Sequence, residues 1–185
     1  MDFTTIVPVL RRLVDYLRKD DAKALRALGS ELGQQALVNN EPAYVQIAAA
    51  SYSQSKFLEK AHITTSKGWP KFRLRIIEKA AAALKAAQEG KDGKLSSTLD
   101  ALVYEAEETS THLGRFQTSV VEKARIKIAT DIYAHGASLG RAAELAGAPK
   151  KELSKYIGAT RLSEKYETIG ATERLTKAKT IFFAA

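Results

Sequence analysis

Lys150, Lys151, Ser154 and Lys155 are spaced so that a helix would gather them on one exposed side. Three ammonium groups and a hydroxyl in that arrangement suit phosphate oxygens, and the first two lysines could also reach guanine edges. Arg141 and Arg161 stand on either side of this set, positioned to flank a duplex. Ser138 stands where the start of a short helix could hold a phosphate through backbone N–H groups. The lysine-bearing stretch offers no Asn, Gln or Arg for bidentate base recognition. The expected behaviour is therefore affinity with modest sequence selectivity and a steep salt dependence. A second basic stretch comprises Lys67, Trp69, Lys71, Arg75 and Lys79, the last three spaced by four. One reading makes it a solvated face beside a buried one, with Trp69 as a lid. The other makes it a second nucleic-acid or partner contact, with an exposed indole beside cations.

Catalysis has no residues to rest on. His62, His112 and His135 are far apart, with no carboxylate at metal-ligand spacing, and are expected to be surface or capping residues. There is no HExxH, phosphate-binding glycine loop, dinucleotide fingerprint or serine elbow. The arginine-then-histidine pair of RNA-cutting helical toxins also fails, since Arg125 precedes His135 by ten residues. The expectation is a protein that is not an enzyme and carries no metal and no cofactor.

The 185 residues are 45% hydrophobic and 27% charged, a balance that describes a soluble globular chain able to bury a core. Lys and Arg outnumber Asp and Glu by 29 to 21, a net charge of +8 that suits a polyanionic partner. The absence of cysteine fits a reducing compartment. No apolar run approaches about 18 residues, so no membrane association and a cytoplasmic location are expected.

Abundant alanine with sparse, clustered Gly and Pro favours helices. Ile6, Val9, Leu10, Leu13, Val14 and Leu17 recur at three and four and predict a first helix from Thr5 to Arg18. Asp20 or Asp21 caps a second helix to about Asn39, with Leu25, Leu28 and Leu32 inward. A third runs from Pro42 to about Lys60, dense in small residues and carrying Tyr44, Tyr52 and Phe57. Residues 62–68 read as a polar connection, and a fourth helix runs from Lys71 to Gly90. The Glu89 to Lys94 stretch, with two glycines, is the best boundary. Ser96 or Ser97 then caps a fifth helix, and whether Thr109-Ser-Thr111 breaks it is open. A long helix from Leu113, with Phe116, Val120, Ala124, Ile128 and Ile132, ends at His135-Gly136. Past residue 158, a segment anchored by Leu162, Tyr166 and Ile169 leads to a last helix from Thr172. Its Phe182 and Phe183 would dock on the bundle or dimerise.

Ser138 to Ile157 reads as two short helices crossing steeply. Ala142 and Ala143 give the first a small inner face, and Gly147 can turn the chain in a left-handed conformation. Pro149 opens the second helix and Gly158 should stop it. Leu139, Ala146, Leu153, Tyr156 and Ile157 would close the pair on a third helix. The Ala143, Gly147 and Leu153 spacing resembles the helix-turn-helix of repressor-type DNA-binding proteins. The form it is most similar to occurs in small antitoxin-like and regulator-like proteins of prokaryotes, chiefly archaea, where a SLGRAAELAG run precedes a short basic helix.

The resulting expectation is an all-α chain: an N-terminal antiparallel helical bundle (1–90), then a helical segment (95–185) holding a helix-turn-helix at about 120–158 and a C-terminal helix. The resemblance implies a non-enzymatic transcriptional regulator or antitoxin-like repressor that binds DNA in the major groove as a homodimer. The competing reading is a protein-interaction module or scaffold whose basic face only solubilises it. Its N-terminal helices would then present a groove, with Tyr44, Tyr52 and Phe57, to a partner protein.

Overall fold

The computed structural model describes residues 2–39, 41–113 and 119–160. The described residues are all-α and contain no strand. The helices are α1 (Phe3–Arg18), α2 (Ala22–Asn39), α3 (Pro42–Leu58), α4 (Ala61–Thr64), α5 (Trp69–Gln88), α6 (Asp92–His112), α7 (Val120–Ala134), α8 (Leu139–Ala146) and α9 (Lys150–Thr160). Arg161, Phe116 and the helix expected from Thr172 lie outside the described residues.

α3 is the axis of the fold. Twelve of its 17 residues are buried, so it has almost no solvent face, and it packs on α1, α2, α4, α6, α7 and α8. A helix buried nearly all round needs apolar or small side chains throughout, which explains the run of Ala48, Ala49, Ala50 and Ser51. Two of its buried serines turn their hydroxyls back to the helix: Ser51 Oγ donates to the Ile47 carbonyl at 2.8 Å and Ser55 Oγ to that of Tyr52 at 2.7 Å, while Ser53 Oγ has no hydrogen-bond partner among the described residues. α2 lies especially close. A Cβ placed on Gly29 would sit 3.2 Å from the Ala48 carbonyl oxygen and 3.4 Å from Tyr52, so glycine sets the distance between these helices. α1 lays Ile6, Val9, Leu10, Leu13, Val14 and Leu17 inward as its spacing predicts.

The buried side chains form one contiguous cluster from Ile6 to Leu153. α3, from the first half of the chain, packs directly on α6, α7 and α8 of the second. The stretch expected to be a boundary is a tight corner, with Gly90 at φ +66°.

Several boundaries differ from expectation. α6 begins at Asp92, so Ser96 and Ser97 lie inside it and cap nothing; Asp92 supplies the acidic first turn. Thr109-Ser-Thr111 stays helical, its threonine hydroxyls accommodated by earlier carbonyls: Thr109 Oγ1 donates to that of Glu105 and Thr111 Oγ1 to that of Glu107. α7 starts at Val120, where the Ser119 side chain accepts the Val121 N–H. The supposed polar connection holds α4, pinned by the buried Ile63. α3 ends at Leu58, and α9 runs through Gly158 to Thr160 rather than stopping there.

Candidate nucleic-acid interface

α7, α8 and α9 pack on one another, with α8 also touching α3. Ser138 caps α8 by accepting the Arg141 N–H at 3.2 Å. Ala142, Ala143 and Ala146 are buried, the small face that lets neighbouring helices approach. Gly147 then takes φ +60° and ψ +33°, its N–H reaching the Glu144 carbonyl at 3.2 Å while the Ala148 N–H reaches that of Ala143 at 2.9 Å. These two bonds satisfy carbonyls that the helix end would leave unpaired, and the left-handed backbone turns the chain toward α9.

Among the described residues of α9, Leu153 alone is fully buried, with Ile157 half-buried. That single anchor fixes which face looks outward. Lys150, Lys151, Ser154 and Lys155 are all exposed. No carboxylate among the described residues lies within ion-pair distance of the three lysines. Tyr156, expected to help close the hairpin, is 40% exposed instead.

Two of the flanking residues are engaged within α8. Arg141 is exposed and pairs with Glu144 on its own helix at 3.0 Å. The Ser138 oxygen is engaged in its cap, so α8's first-turn N–H at Arg141 is already satisfied. Arg125 of α7, not singled out as an interface residue by the sequence, lies half-buried beneath the turn, its Nε 3.9 Å from where a Gly147 Cβ would be. It lines a cleft of about 350 Å³ with Gln46, Asp100, Tyr104, Glu107 and Glu144. Only the fold brings these residues together, since they come from four helices.

The second basic stretch is divided by the fold. Trp69 is only 8% exposed and packs on Phe72, ring centroids 5.5 Å apart, so no exposed indole is available for stacking. Arg75 turns its guanidinium onto the buried Glu105, with Nε at 2.6 Å, and Lys79 lies 3.8 Å from the same carboxylate. Lys67 and Lys71 remain exposed. The solvated-face reading with a covered Trp69 matches this geometry; the stacking reading does not.

Tyr44 and Phe57 are core residues at 2% and 0% exposure, so they cannot line the groove suggested for a partner protein. Tyr44 also donates to Thr5 Oγ1 at 2.9 Å, tying α3 to α1. Tyr52 does reach a surface cleft. Burial pushes its phenol up, and the Tyr156 phenol of α9 adds to the shift.

His135 Nδ1 lies 2.7 Å from the Asp131 carbonyl at the end of α7, and His112 lies 3.3 Å from Glu108. No group of His, Cys, Asp or Glu among the described residues could hold a metal ion. No described helix is long and apolar enough to cross a membrane. The chain matches no protein-family model, no curated protein and no solved structure.

Proposed function

We propose that this protein binds duplex DNA through α9, with α8 and the Gly147 turn holding that helix out as a helix-turn-helix would. One observation carries the reading: a short helix anchored by a single buried leucine, Leu153, turns to solvent a serine and three lysines that have no ion-pair partner among the described residues. A helix that served only packing would need more than one buried side chain, and a merely solubilising face would more often mix both signs of charge. Glu152 is the one acidic residue on α9.

In the major groove, Lys150 and Lys151 at the start of α9 would meet phosphates or guanine O6 and N7, Ser154 a base edge or phosphate, and Lys155 the backbone. Arg141 would contribute only by giving up Glu144. Binding of this type draws most of its affinity from counterion release and little from sequence. A pair of such helices on two half-sites about 34 Å apart would supply the selectivity one lacks, so the protein acts as a homodimeric regulator of antitoxin-like or repressor-like type.

Fluorescence anisotropy with labelled duplexes tests this. The native chain should bind with a Kd that weakens steeply with salt, and the combined Lys150→Ala, Lys151→Ala, Lys155→Ala variant should lose at least about a hundredfold in affinity at low salt. Unchanged binding in that variant would remove α9 from the interface. No binding by the native chain to any duplex would leave the interaction-module reading in its place.

A further inference from the structure

On the side of α7 facing α2 and α3 there is a cleft of about 560 Å³, within the size range of small-molecule sites. Its walls carry four cations from three helices: Lys23 and Arg26 on α2, Lys56 on α3 and Lys127 on α7. Two carboxylates face them. Asp131 is committed to Lys127 at 2.6 Å and to the Ser30 hydroxyl at 3.3 Å. Glu59 is committed to Arg26 and to Lys56, the latter at 3.1 Å. The cations lining the cleft outnumber these two carboxylates, and Lys23 has no ion-pair partner among the described residues.

The crowding is felt within the protein. Burial, with the charges of Arg26 and Lys60, holds the Lys56 ammonium below its ordinary value. A cluster of like charges in a partly dry cleft is relieved by an incoming anion. The floor is carbon: Ile128, Ala27 and the Tyr52 ring, over which Lys56 Nζ sits 5.4 Å from the centroid. Two other clefts lined by α7 among the described residues hold Glu107 beside Arg125 and lack this surplus of positive charge.

We infer that the α2–α3–α7 cleft is a binding site for a small organic anion, one acidic group on a flat apolar body. The acidic group sits among Lys23, Arg26 and Lys127, and the body lies on Ile128 and Tyr52. The site does not depend on DNA binding.

The probe is 1-anilinonaphthalene-8-sulfonate, a fused aromatic body with one sulfonate, titrated into the full chain and followed by two-dimensional 15N–1H NMR. The expected result is saturable, single-site shifts of the Gly29, Ser30, Lys127 and Ile128 amides. Lys23→Glu, which breaks no ion pair among the described residues, should weaken binding about tenfold, and Arg26→Gln should weaken it further. N-phenyl-1-naphthylamine, the same body without the sulfonate, should bind at least about tenfold more weakly. Equal binding by the neutral amine, indifference to Lys23→Glu, or shifts gathered instead around the exposed Leu74 or Tyr104 would overturn the site. Displacement of the sulfonate by a generic duplex would overturn it as well, because the cations would then belong to a phosphate-backbone contact. Circular dichroism of each variant separates lost binding from lost folding.

Discussion

Gly147→Ala isolates the backbone contribution of the α8–α9 turn. The residue sits at φ +60° and ψ +33°, and an added Cβ would find nothing nearer than Arg125 Nε at 3.9 Å. There is thus room for the methyl group, and the cost is conformational. A non-glycine residue in left-handed helical backbone is disfavoured by about 1–2 kcal/mol. Alanine also lowers the entropy of the unfolded chain, returning about 0.4–1 kcal/mol. A net loss of about 1 kcal/mol should appear as a midpoint about 2–4 °C lower in a chain of this size. Urea titration at constant m-value gives the same quantity isothermally. Gly147→Asn should lose less, since asparagine tolerates this backbone. Gly158→Ala provides the opposite sign, for α9 continues through Gly158 and nothing lies within 4 Å of its Cβ position. It should stabilise by about 0.5–1 kcal/mol. If Gly147→Ala proved as stable as the parent, or Gly158→Ala destabilised as much as Gly147→Ala, the turn geometry argued here would be wrong.

Three further expectations concern other contacts. Leu153→Ala removes the one fully buried side chain of α9 and should cost about 2–5 kcal/mol of local stability, read as accelerated amide exchange across residues 150–160 while α3 stays protected. Arg75→Ala leaves the buried Glu105 carboxylate with only Lys79 at 3.8 Å and should destabilise by about 1–3 kcal/mol, whereas Arg75→Ala with Glu105→Gln should recover part of the loss. Arg12 grips Glu31 with two hydrogen bonds of 2.8 and 2.7 Å and holds its carboxyl below the usual range. The stabilisation is present above the unfolded carboxyl value and fades as pH falls through the lowered folded one. Because both side chains are more than a third exposed, the gap between the parent and Glu31→Gln should stay within about 1 kcal/mol at neutral pH and close in acid.

What could be read from the chain depended on how local its cause was. The α1 spacing placed six buried residues correctly because one helix face determines it. Ser138, Ala142, Ala143 and Gly147 were legible for the same reason: a cap, a small face and a left-handed residue act within one turn of chain. The errors came where a local cue had a non-local or competing outcome. Ser96 and Ser97 looked like caps, but capping residues inside a helix can turn their hydroxyls to solvent or to earlier carbonyls, as Ser97 does with Lys94. The Lys71, Arg75 and Lys79 stripe looked free because its partner, Glu105, lies thirty residues from Arg75 on another helix. The anion cleft was invisible for the same cause, since Lys23, Lys56 and Lys127 meet only after three helices pack.

The most direct measurement exploits the absence of cysteine, which makes Ser154→Cys a unique attachment point for a DNA-cleaving iron chelate on α9. Bound to a duplex, that conjugate should cut a few adjacent nucleotides, and the cutting should vanish when the three neighbouring lysines are changed to alanine. The same reagent at Leu74→Cys on α5 should leave the duplex intact. Equal cutting from both positions, or none from Ser154→Cys on a duplex the protein demonstrably binds, would contradict the account of α9 as the DNA-facing helix.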